Sequence, residues 1–260
     1  MQDFNSQWIH QLIRVLASTS MVSPRGQQTY ECLQSTVTYD MRRSVLIEPE
    51  RKLSYKYMAA EAYWILKGDN TVAGIKLFNP KIADYSDDGK TFFGAYGPPI
   101  LAQMPYVIDK LCADRDSRQA GLTIWRQSPP PTKDVPCTVA MFFLIRNHQL
   151  QMSVYMRSSD VWLGLPYDAF AFSMVGHYVC ALYNERATMP IEPGSVMITA
   201  GSSHLYDTNF DAALRVVNTS GKRVSPESPP NLYISPSALR HTLDILRYSK
   251  QGDVYRWWEG

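Results

Sequence analysis

Residues 157–168 of the chain read RSSDVWLGLPYD. The stretch links residues 149–156, which have a strand-like composition, to residues 167–183, an apolar run with helical spacing. Its first four residues, Arg157 to Asp160, supply a guanidinium, two hydroxyls and a carboxylate just past the predicted strand. Such a set can hold a phosphate and orient a polar ring, and a solvated loop is the alternative interpretation.

A cysteine stands upstream at a predicted junction between a loop and a strand. Prolines at 129–131 favour an extended loop that ends at Cys137, and strand-like residues 138–145 and 149–156 then predict an antiparallel hairpin. The preceding Pro136 fixes the backbone of Cys137, and a neighbouring cation would lower the pKa of its thiol. Most intracellular cysteines are inert core residues, so this position alone does not assign catalysis.

Size and charge limit the function classes. The chain has 260 residues, 45% of them hydrophobic, which is enough for one large α/β domain or two small ones. No linker divides it, so we expect one domain over residues 1–260. A net charge of +2 gives no electrostatic reason for the chain to coat nucleic acid or a membrane, and it suits a small anionic ligand.

The cysteines and the N-terminal residues indicate a compartment. The four cysteines lie far apart without a CxxC pair, so neither a metal site nor a disulfide framework is predicted. Residues 1–21 lack the pattern of a signal peptide, and no run of about 18 apolar residues could span a bilayer. We therefore expect a soluble cytoplasmic protein with reduced thiols.

Periodicity and turn residues predict the remaining elements. Residues 84–99 hold three glycines, two prolines and several aromatics, which is typical of an ordered loop over a ligand, although packing alone could explain it. Residues 254–258 form an unusually aromatic tail. Helices are predicted at 7–17, 57–66, 167–183 and 237–249, a strand with loop at 30–46, strands at 121–125, 138–145, 149–156 and 196–199, and a surface loop at 218–236.

Several segments, read in order, resemble thymidylate synthases and their nucleotide hydroxymethylase relatives. The resemblance covers roughly residues 24–215. It implies a single α/β domain of α+β type with a large mixed sheet, one face packed against helices and the other forming a homodimer contact. The matching segments are Glu61 to Gly68, Gly94-Ala95-Tyr96-Gly97, Asp116-Ser117-Arg118-Gln119, Pro136-Cys137, Arg157 to Asp168 and Ser203-His204-Leu205-Tyr206.

The resemblance implies a specific covalent chemistry. Cys137 would add to carbon 6 of a pyrimidine and make carbon 5 nucleophilic toward the methylene of 5,10-methylenetetrahydrofolate. Arg157 matches the arginine that binds the nucleotide phosphate and favours the thiolate. Glu61 matches the glutamate that organises water and relays protons, a role suited to a raised carboxyl pKa. Tyr96 matches the tyrosine of the proton-abstraction network, and Asp160 completes the implied catalytic set.

Further matches imply how the ligands are held. Arg118 matches an arginine that the family donates across a two-fold interface, so a homodimer is expected, and Gln119 replaces the second arginine of many relatives. The other implied nucleotide contacts are Arg25 and Ser158 for the phosphate and His204 and Tyr206 for the sugar. The implied folate contacts are Arg51, Trp64, Asp160, Leu163 and Gly164.

Position 168 bears on the choice of base. Thymidylate synthases carry asparagine there, whose amide both donates and accepts toward uracil, whereas the ionised Asp168 only accepts, and cytosine offers an amino donor. An unpaired acceptor against a uracil carbonyl would cost about 1 to 3 kcal/mol, roughly a ten- to hundredfold preference for cytosine. A protonated Asp168 could instead donate to uracil, which keeps a uridylate substrate open.

Two small residues bear on the product and the sugar. Ala83 stands where synthases carry a tryptophan that covers the transferred carbon, so water could enter and hydroxymethylation is favoured over methylation. Ala171 stands where many relatives have serine, on the same predicted helix face as Asp168, which leaves room for a ribose hydroxyl or simply reflects packing. The predicted substrate is thus dCMP first, with CMP as a second.

Other functions stay open. Reduction of the transferred carbon would make the chain a dCMP or dUMP methyltransferase. A non-catalytic nucleotide- or RNA-binding relative is the alternative from another class, and the presence of Cys137, Glu61 and Arg157 argues against it. A cysteine hydrolase ranks far lower, because the sequence places no histidine as its base.

Overall fold

The architecture rests on one mixed sheet of six strands. A computed structural model describes residues 2–219, 223–228 and 234–250. Among these residues, the order across the sheet is β1-β2-β6-β5-β4-β3, and only β5 and β6 are parallel neighbours. The strands are β1 (Met21–Val22), β2 (Thr29–Asp40), β3 (Gly121–Thr123), β4 (Thr138–Arg146), β5 (Gln149–Asp160) and β6 (Glu192–Tyr206).

Helices cover one face of the sheet and supply most of the core. They are α1 (Phe4–Leu16), α2 (Tyr55–Leu66), α3 (Val72–Ile75), α4 (Gly97–Ala113), α5 (Leu165–Asn184), α6 (Phe210–Thr219) and α7 (Pro236–Tyr248). Helix α5 connects the parallel strands β5 and β6 and contacts both, with α2, α4 and α7 on its other sides. It is apolar all round because it is enclosed on all sides.

The opposite face of the sheet is open in the single chain. Along β2 the side chains of Val37 and Tyr39 are buried, whereas those of Thr36 and Thr38 are exposed, as the alternation of a strand with one packed face requires. Two rings on the open face, those of Phe142 and Tyr155, meet edge to face with centroids 6.2 Å apart. Leu33 on β2 is 63% exposed.

The structure confirms the mixed sheet, the hairpin of β4 and β5, and helices α1, α2, α5 and α7. The strand predicted at 196–199 is confirmed but is only the middle of the 15-residue β6. The loop predicted at 84–99 was wrong at its end, because helix α4, which was not predicted, begins at Gly97. Within the loop predicted at 218–236, residues 218 and 219 belong to α6, residues 223–228 form neither helix nor strand, and Pro236 begins α7. The aromatic tail 254–258 lies outside the described residues.

Helix α4 is continuous although it contains three prolines. Pro98 and Pro99 occupy its first turn, where a backbone N–H has no partner within the helix. Pro105 lies inside the helix. Because of these prolines, the sequence of α4 resembles a loop. The helix nevertheless buries apolar residues such as Ile100 and Met104.

Every helix within the described ranges is too short or too polar to cross a membrane.

Candidate active site

The loop that carries Cys137 is fixed from the neighbouring strand. The N–H of Arg157 on β5 donates to the carbonyl of Cys137 at 2.8 Å. The Arg157 guanidinium donates through Nε to the carbonyl of Pro136 at 3.1 Å and through Nη2 to that of Val135 at 2.9 Å. Cys137 thus precedes β4, as predicted, and its backbone position is set by Arg157.

A cavity of about 180 Å³ surrounds the cysteine. Its wall combines Glu61 from α2, Asp168 and Ala171 from α5, and Tyr96 from the start of α4 with Cys137. These elements are far apart in sequence and meet because α5 packs between the sheet and α2 and α4. Five of the predicted site residues, these four and Trp64, therefore line one cavity, together with Ala171.

A second cavity, of about 710 Å³, adjoins the first and is basic. It is lined by Arg25, Lys133 and Arg157, with Asp84 as a single carboxylate, and it shares Tyr85 and Val135 with the first cavity. Three cationic side chains around one space are suited to an anion such as a phosphate. The pair of cavities thus offers an anion site beside a thiol.

Glu61 lies inside the protein, and the pKa of its carboxyl is close to neutral pH. Burial raises the pKa of its carboxyl to about 7, while the hydroxyl of Tyr57 donates to Oε1 at 2.7 Å and works in the opposite direction. A carboxyl with this pKa exchanges a proton readily at neutral pH, which suits a proton relay.

Asp168 lies in the first turn of α5 and is also enclosed. Burial raises its pKa well above the usual aspartate value, and the charges of Glu61 and Asp160 raise it further. These effects favour the neutral acid and oppose the ionised form, on which the sequence argument for cytosine depends.

Burial keeps the thiol of Cys137 and the phenol of Tyr96 in their protonated forms. Burial raises the pKa of Cys137, and although Arg157 and Arg25 act to lower it, Asp168 and Asp134 act with burial. Burial, then Asp168 and Cys137, raise the pKa of Tyr96 well above the usual value. Arg157 therefore favours the thiolate, as the resemblance implies, but burial outweighs it.

The parallel pairing of β5 and β6 gathers a second group of predicted residues. Asp160 stands opposite His204 in register, and the Ser158 hydroxyl lies 3.3 Å from Nδ1 of His204. The rings of His204 and Tyr206 meet edge to face at 5.3 Å. Burial lowers the pKa of His204 although Asp160 opposes it, so the imidazole is neutral at neutral pH. These residues lie beside Arg157 but do not line either cavity.

Four of the five predicted folate contacts cluster at the start of α5. Oδ1 of Asp160 accepts from the N–H groups of Trp162 and Leu163, both at 2.8 Å, and so fixes the turn that leads into the helix. The Arg51 guanidinium lies 5.4 Å from the ring centroid of Trp162 and donates to the carbonyl of Leu163 at 3.4 Å. A Cβ at Gly164 would lie 3.5 Å from Oδ2 of Asp168. The cluster therefore adjoins the first cavity.

The fifth folate candidate and the predicted interface arginine lie apart from this cluster. Trp64 lines the first cavity and meets Phe92, which also lines it, edge to face at 5.8 Å. Arg118 is exposed in the loop between α4 and β3 and lines neither cavity. Ala83 is half-buried and lines neither cavity, although Ile82 beside it lines the first.

The sequence interpretation missed three side chains that line the cavities. Asp134 faces the cavity of Cys137, Lys133 faces the basic cavity, and Tyr85 faces both. Two of them stand within four residues before Cys137, so their position in that loop was the available signal. In the described part of the chain, no three His, Cys, Asp or Glu side chains are grouped as metal ligands.

Comparison with known proteins gives a consistent assignment. The sequence model of the family described as thymidylate synthase matches residues 6–250. A deoxyuridylate hydroxymethyltransferase of Bacillus phage SP01 is 27% identical over 225 residues, and one of Pseudomonas phage M6 is 27% identical over 209 residues. The matches cover 78% and 76% of this chain but 57% and 58% of the phage proteins. The chain thus spans little more than half the length of these relatives.

Proposed function

Because the chain belongs to the thymidylate synthase family, we propose that it transfers a one-carbon unit to carbon 5 of a pyrimidine nucleoside monophosphate. One observation carries the proposal: the cavity that holds Cys137, Glu61 and Asp168 opens beside a basic cavity lined by Arg25 and Arg157. A nucleotide bound across both would place its base at the thiol and its phosphate among the cations.

In this proposal Cys137 forms the covalent bond. Its sulfur adds to carbon 6 of the ring, and carbon 5 then becomes nucleophilic. Arg157 binds the phosphate and favours the thiolate against the effect of burial, while Arg25 and Lys133 complete the anion site. Glu61 exchanges protons with the base through water, as its pKa of about 7 allows.

The walls of the site fit a folate. Members of this family use 5,10-methylenetetrahydrofolate, which supplies the carbon at the oxidation level of formaldehyde. Trp64, Phe92 and Ile82 give the first cavity an apolar, largely aromatic wall that suits a flat ring. The Arg51 and Asp160 cluster, which adjoins this cavity through Gly164, would hold the polar edge of that ring.

We propose cytosine as the base. The carboxylate of Asp168 would accept from the amino group of cytosine, and that hydrogen bond favours ionisation of a carboxyl whose pKa burial has raised. Two observations favour uridylate as the second candidate. The phage relatives are named for deoxyuridylate, and a neutral Asp168 could donate to a uracil carbonyl.

We propose hydroxymethylation rather than methylation as the outcome. By the resemblance, the small Ala83 stands where synthases carry a shielding tryptophan, next to Ile82 of the cavity wall, and the two phage relatives are named hydroxymethyltransferases. Ala171 lines the cavity together with Asp168, which supports acceptance of a ribose hydroxyl and hence CMP alongside dCMP. Methyl transfer to dCMP or dUMP is the alternative product.

Product analysis tests this function. The chain, incubated with methylenetetrahydrofolate and dCMP, CMP or dUMP, is expected to add a hydroxymethyl group to the cytosine nucleotides, as read by mass spectrometry. A methyl product from any of them would contradict the proposed outcome. Absence of tritium release from carbon 5 of labelled dCMP and dUMP would contradict catalysis and favour a binding protein.

The substitution Asp168→Asn is expected to reverse the base preference. The amide can donate to the uracil carbonyl, so the ratio of dCMP to dUMP turnover should fall roughly ten- to hundredfold. Competition between the two labelled nucleotides measures this ratio. Asp84→Asn is the matched control, because Asp84 lines the basic cavity and should affect both nucleotides equally. An unchanged ratio in Asp168→Asn would remove Asp168 from base recognition.

We propose that the active unit is a homodimer joined through the open face of the sheet. The exposed rings of Phe142 and Tyr155 and the exposed Leu33 form an apolar surface on that face. Arg118 is exposed and lines neither the cavity of Cys137 nor the basic cavity, so it is available to reach the phosphate of a partner.

A further inference from the structure

A third carboxylate lines the cavity of the thiol and has no role in the reaction described above. Asp134 stands three residues before Cys137 and lies close enough to it to raise the pKa of the thiol. It is half-buried, and burial followed by the charge of Asp87 raises its own pKa. A carboxylate with a raised pKa is a stronger base than an ordinary aspartate.

The position of this carboxylate is fixed on several sides. Oδ2 of Asp134 accepts from the N–H of Gly94 at 2.7 Å, and the Asp134 N–H donates to the hydroxyl of Thr132 at 3.0 Å. A Cβ at position 94 would lie 2.5 Å from the Asp134 carbonyl, so only glycine permits this approach. The next two carbonyls, of Val135 and Pro136, are held by Arg157. The loop therefore presents the carboxylate in one place.

One oxygen of the carboxylate remains available. Within residues 2–219, 223–228 and 234–250, no protein group donates a hydrogen bond to Oδ1 of Asp134. By contrast, Glu61 already accepts from Tyr57, and Asp168 is assigned to the edge of the base. We propose that Asp134 accepts the proton of the water molecule that attacks the exocyclic methylene group on carbon 5. This inference rests on the proposed hydroxymethylation.

The step balances without any further reactant. At this stage the ring carries Cys137 sulfur on carbon 6 and a methylene joined to carbon 5 by a double bond. The water oxygen bonds to the methylene carbon, the electrons of that double bond move to the bond between carbons 5 and 4 and those of the carbon 4 to nitrogen 3 double bond move onto nitrogen 3, and the water proton passes to Asp134. These electrons then return, which re-forms the double bond between carbons 5 and 6 and expels the Cys137 thiolate. Water is added and nothing is oxidised or reduced.

The substitution Asp134→Asn separates this role from a structural one. The amide oxygen of asparagine can still accept from Gly94, but the amide cannot take a proton from water. In a single turnover with enzyme in excess over labelled dCMP, we expect the ratio of the rate of hydroxymethyl product formation to the rate of tritium release from carbon 5 to fall about 100-fold, as for loss of a general base. Measuring both quantities in one reaction isolates the water step from earlier steps. Asp134→Ser removes the carboxylate in a second way if the asparagine variant does not fold.

The matched control is Asp87→Asn, which disturbs the same loop from outside the cavity. Asp87 accepts from the side chain of Thr132 and, at 3.1 Å, from the N–H of Lys133. We expect this variant to keep the wild-type ratio of product to tritium release. An unchanged ratio in Asp134→Asn, or an equal fall in both variants, would overturn the role of the carboxylate. If the wild-type chain released no tritium, the proposed function itself would fail.

Discussion

Replacement of Cys137 by serine is expected to reduce product formation by at least about 1,000-fold, as is usual when a catalytic nucleophile is removed. A hydroxyl is a much weaker nucleophile than a thiolate, and Arg157 cannot ionise it at neutral pH. The rate of hydroxymethyl product formation under saturating dCMP measures the effect. Cys112→Ser is the matched control, because Cys112 is also half-buried but lies on α4 outside both cavities.

The outcome for nucleotide binding refines this test. Cys137→Ser should still bind dCMP, since Arg25, Lys133 and Arg157 are retained. Turnover of Cys137→Ser close to that of Cys112→Ser would contradict covalent catalysis.

The Cys137→Ser variant also tests the homodimer. Mixed with Arg118→Ala, it should restore activity that neither variant has alone, because one site of the mixed dimer then holds both Cys137 and Arg118.

Replacement of Glu61 by glutamine is expected to slow tritium release from carbon 5 by about 100- to 10,000-fold, the usual range for loss of an acid or base. The amide keeps the size of the side chain and can still accept from Tyr57, but it cannot carry a proton. Initial rates with labelled dCMP provide the measurement. Glu185→Gln, at the exposed end of α5, should leave the rate unchanged. Wild-type tritium release in Glu61→Gln would exclude Glu61 from the proton relay.

The same variant carries a stability test with a defined sign. The pKa of Glu61 is about 7 in the folded protein against 4.5 as its ordinary value, so the folded state holds the proton more tightly. Wild-type stability therefore falls as the pH rises from about 4.5 to about 7, and Glu61→Gln avoids this loss. Thermal unfolding should show the variant gaining stability relative to wild type across that interval. A constant difference would mean that the carboxyl is not buried as described.

Apolar periodicity was sufficient to predict helices α1, α2, α5 and α7. Helix α1 buries Trp8, Leu12 and Val15 on one stripe, so its pattern is visible without a structure. Strand β6 was underestimated because small and polar residues, among them Gly194 and Gly201, dilute the pattern at both ends. Helix α4 was missed because its prolines resemble a loop.

The sequence was sufficient to identify residues of the site, but not the cavity around them or their degree of burial. Cys137, Glu61 and Asp168 were found from motifs, and their meeting in one cavity required the packing of α5 against its neighbours. The raised pKa values of Asp168 and of the Cys137 thiol could not be predicted from the sequence. Burial dominates both shifts, and the spacing of residues along the chain does not reveal burial. Asp134 was overlooked for the same reason, since its importance comes from lining the cavity.

The guanidinium of Arg157 contacts both the basic cavity and the loop that carries Cys137. It faces the basic cavity while it donates to the carbonyls immediately before Cys137, so an anion in that cavity would bind the same side chain that fixes the backbone of the cysteine. Under the proposed function, a nucleoside without its phosphate lacks this contact, and we expect it to be turned over more slowly as well as bound more weakly than the nucleotide.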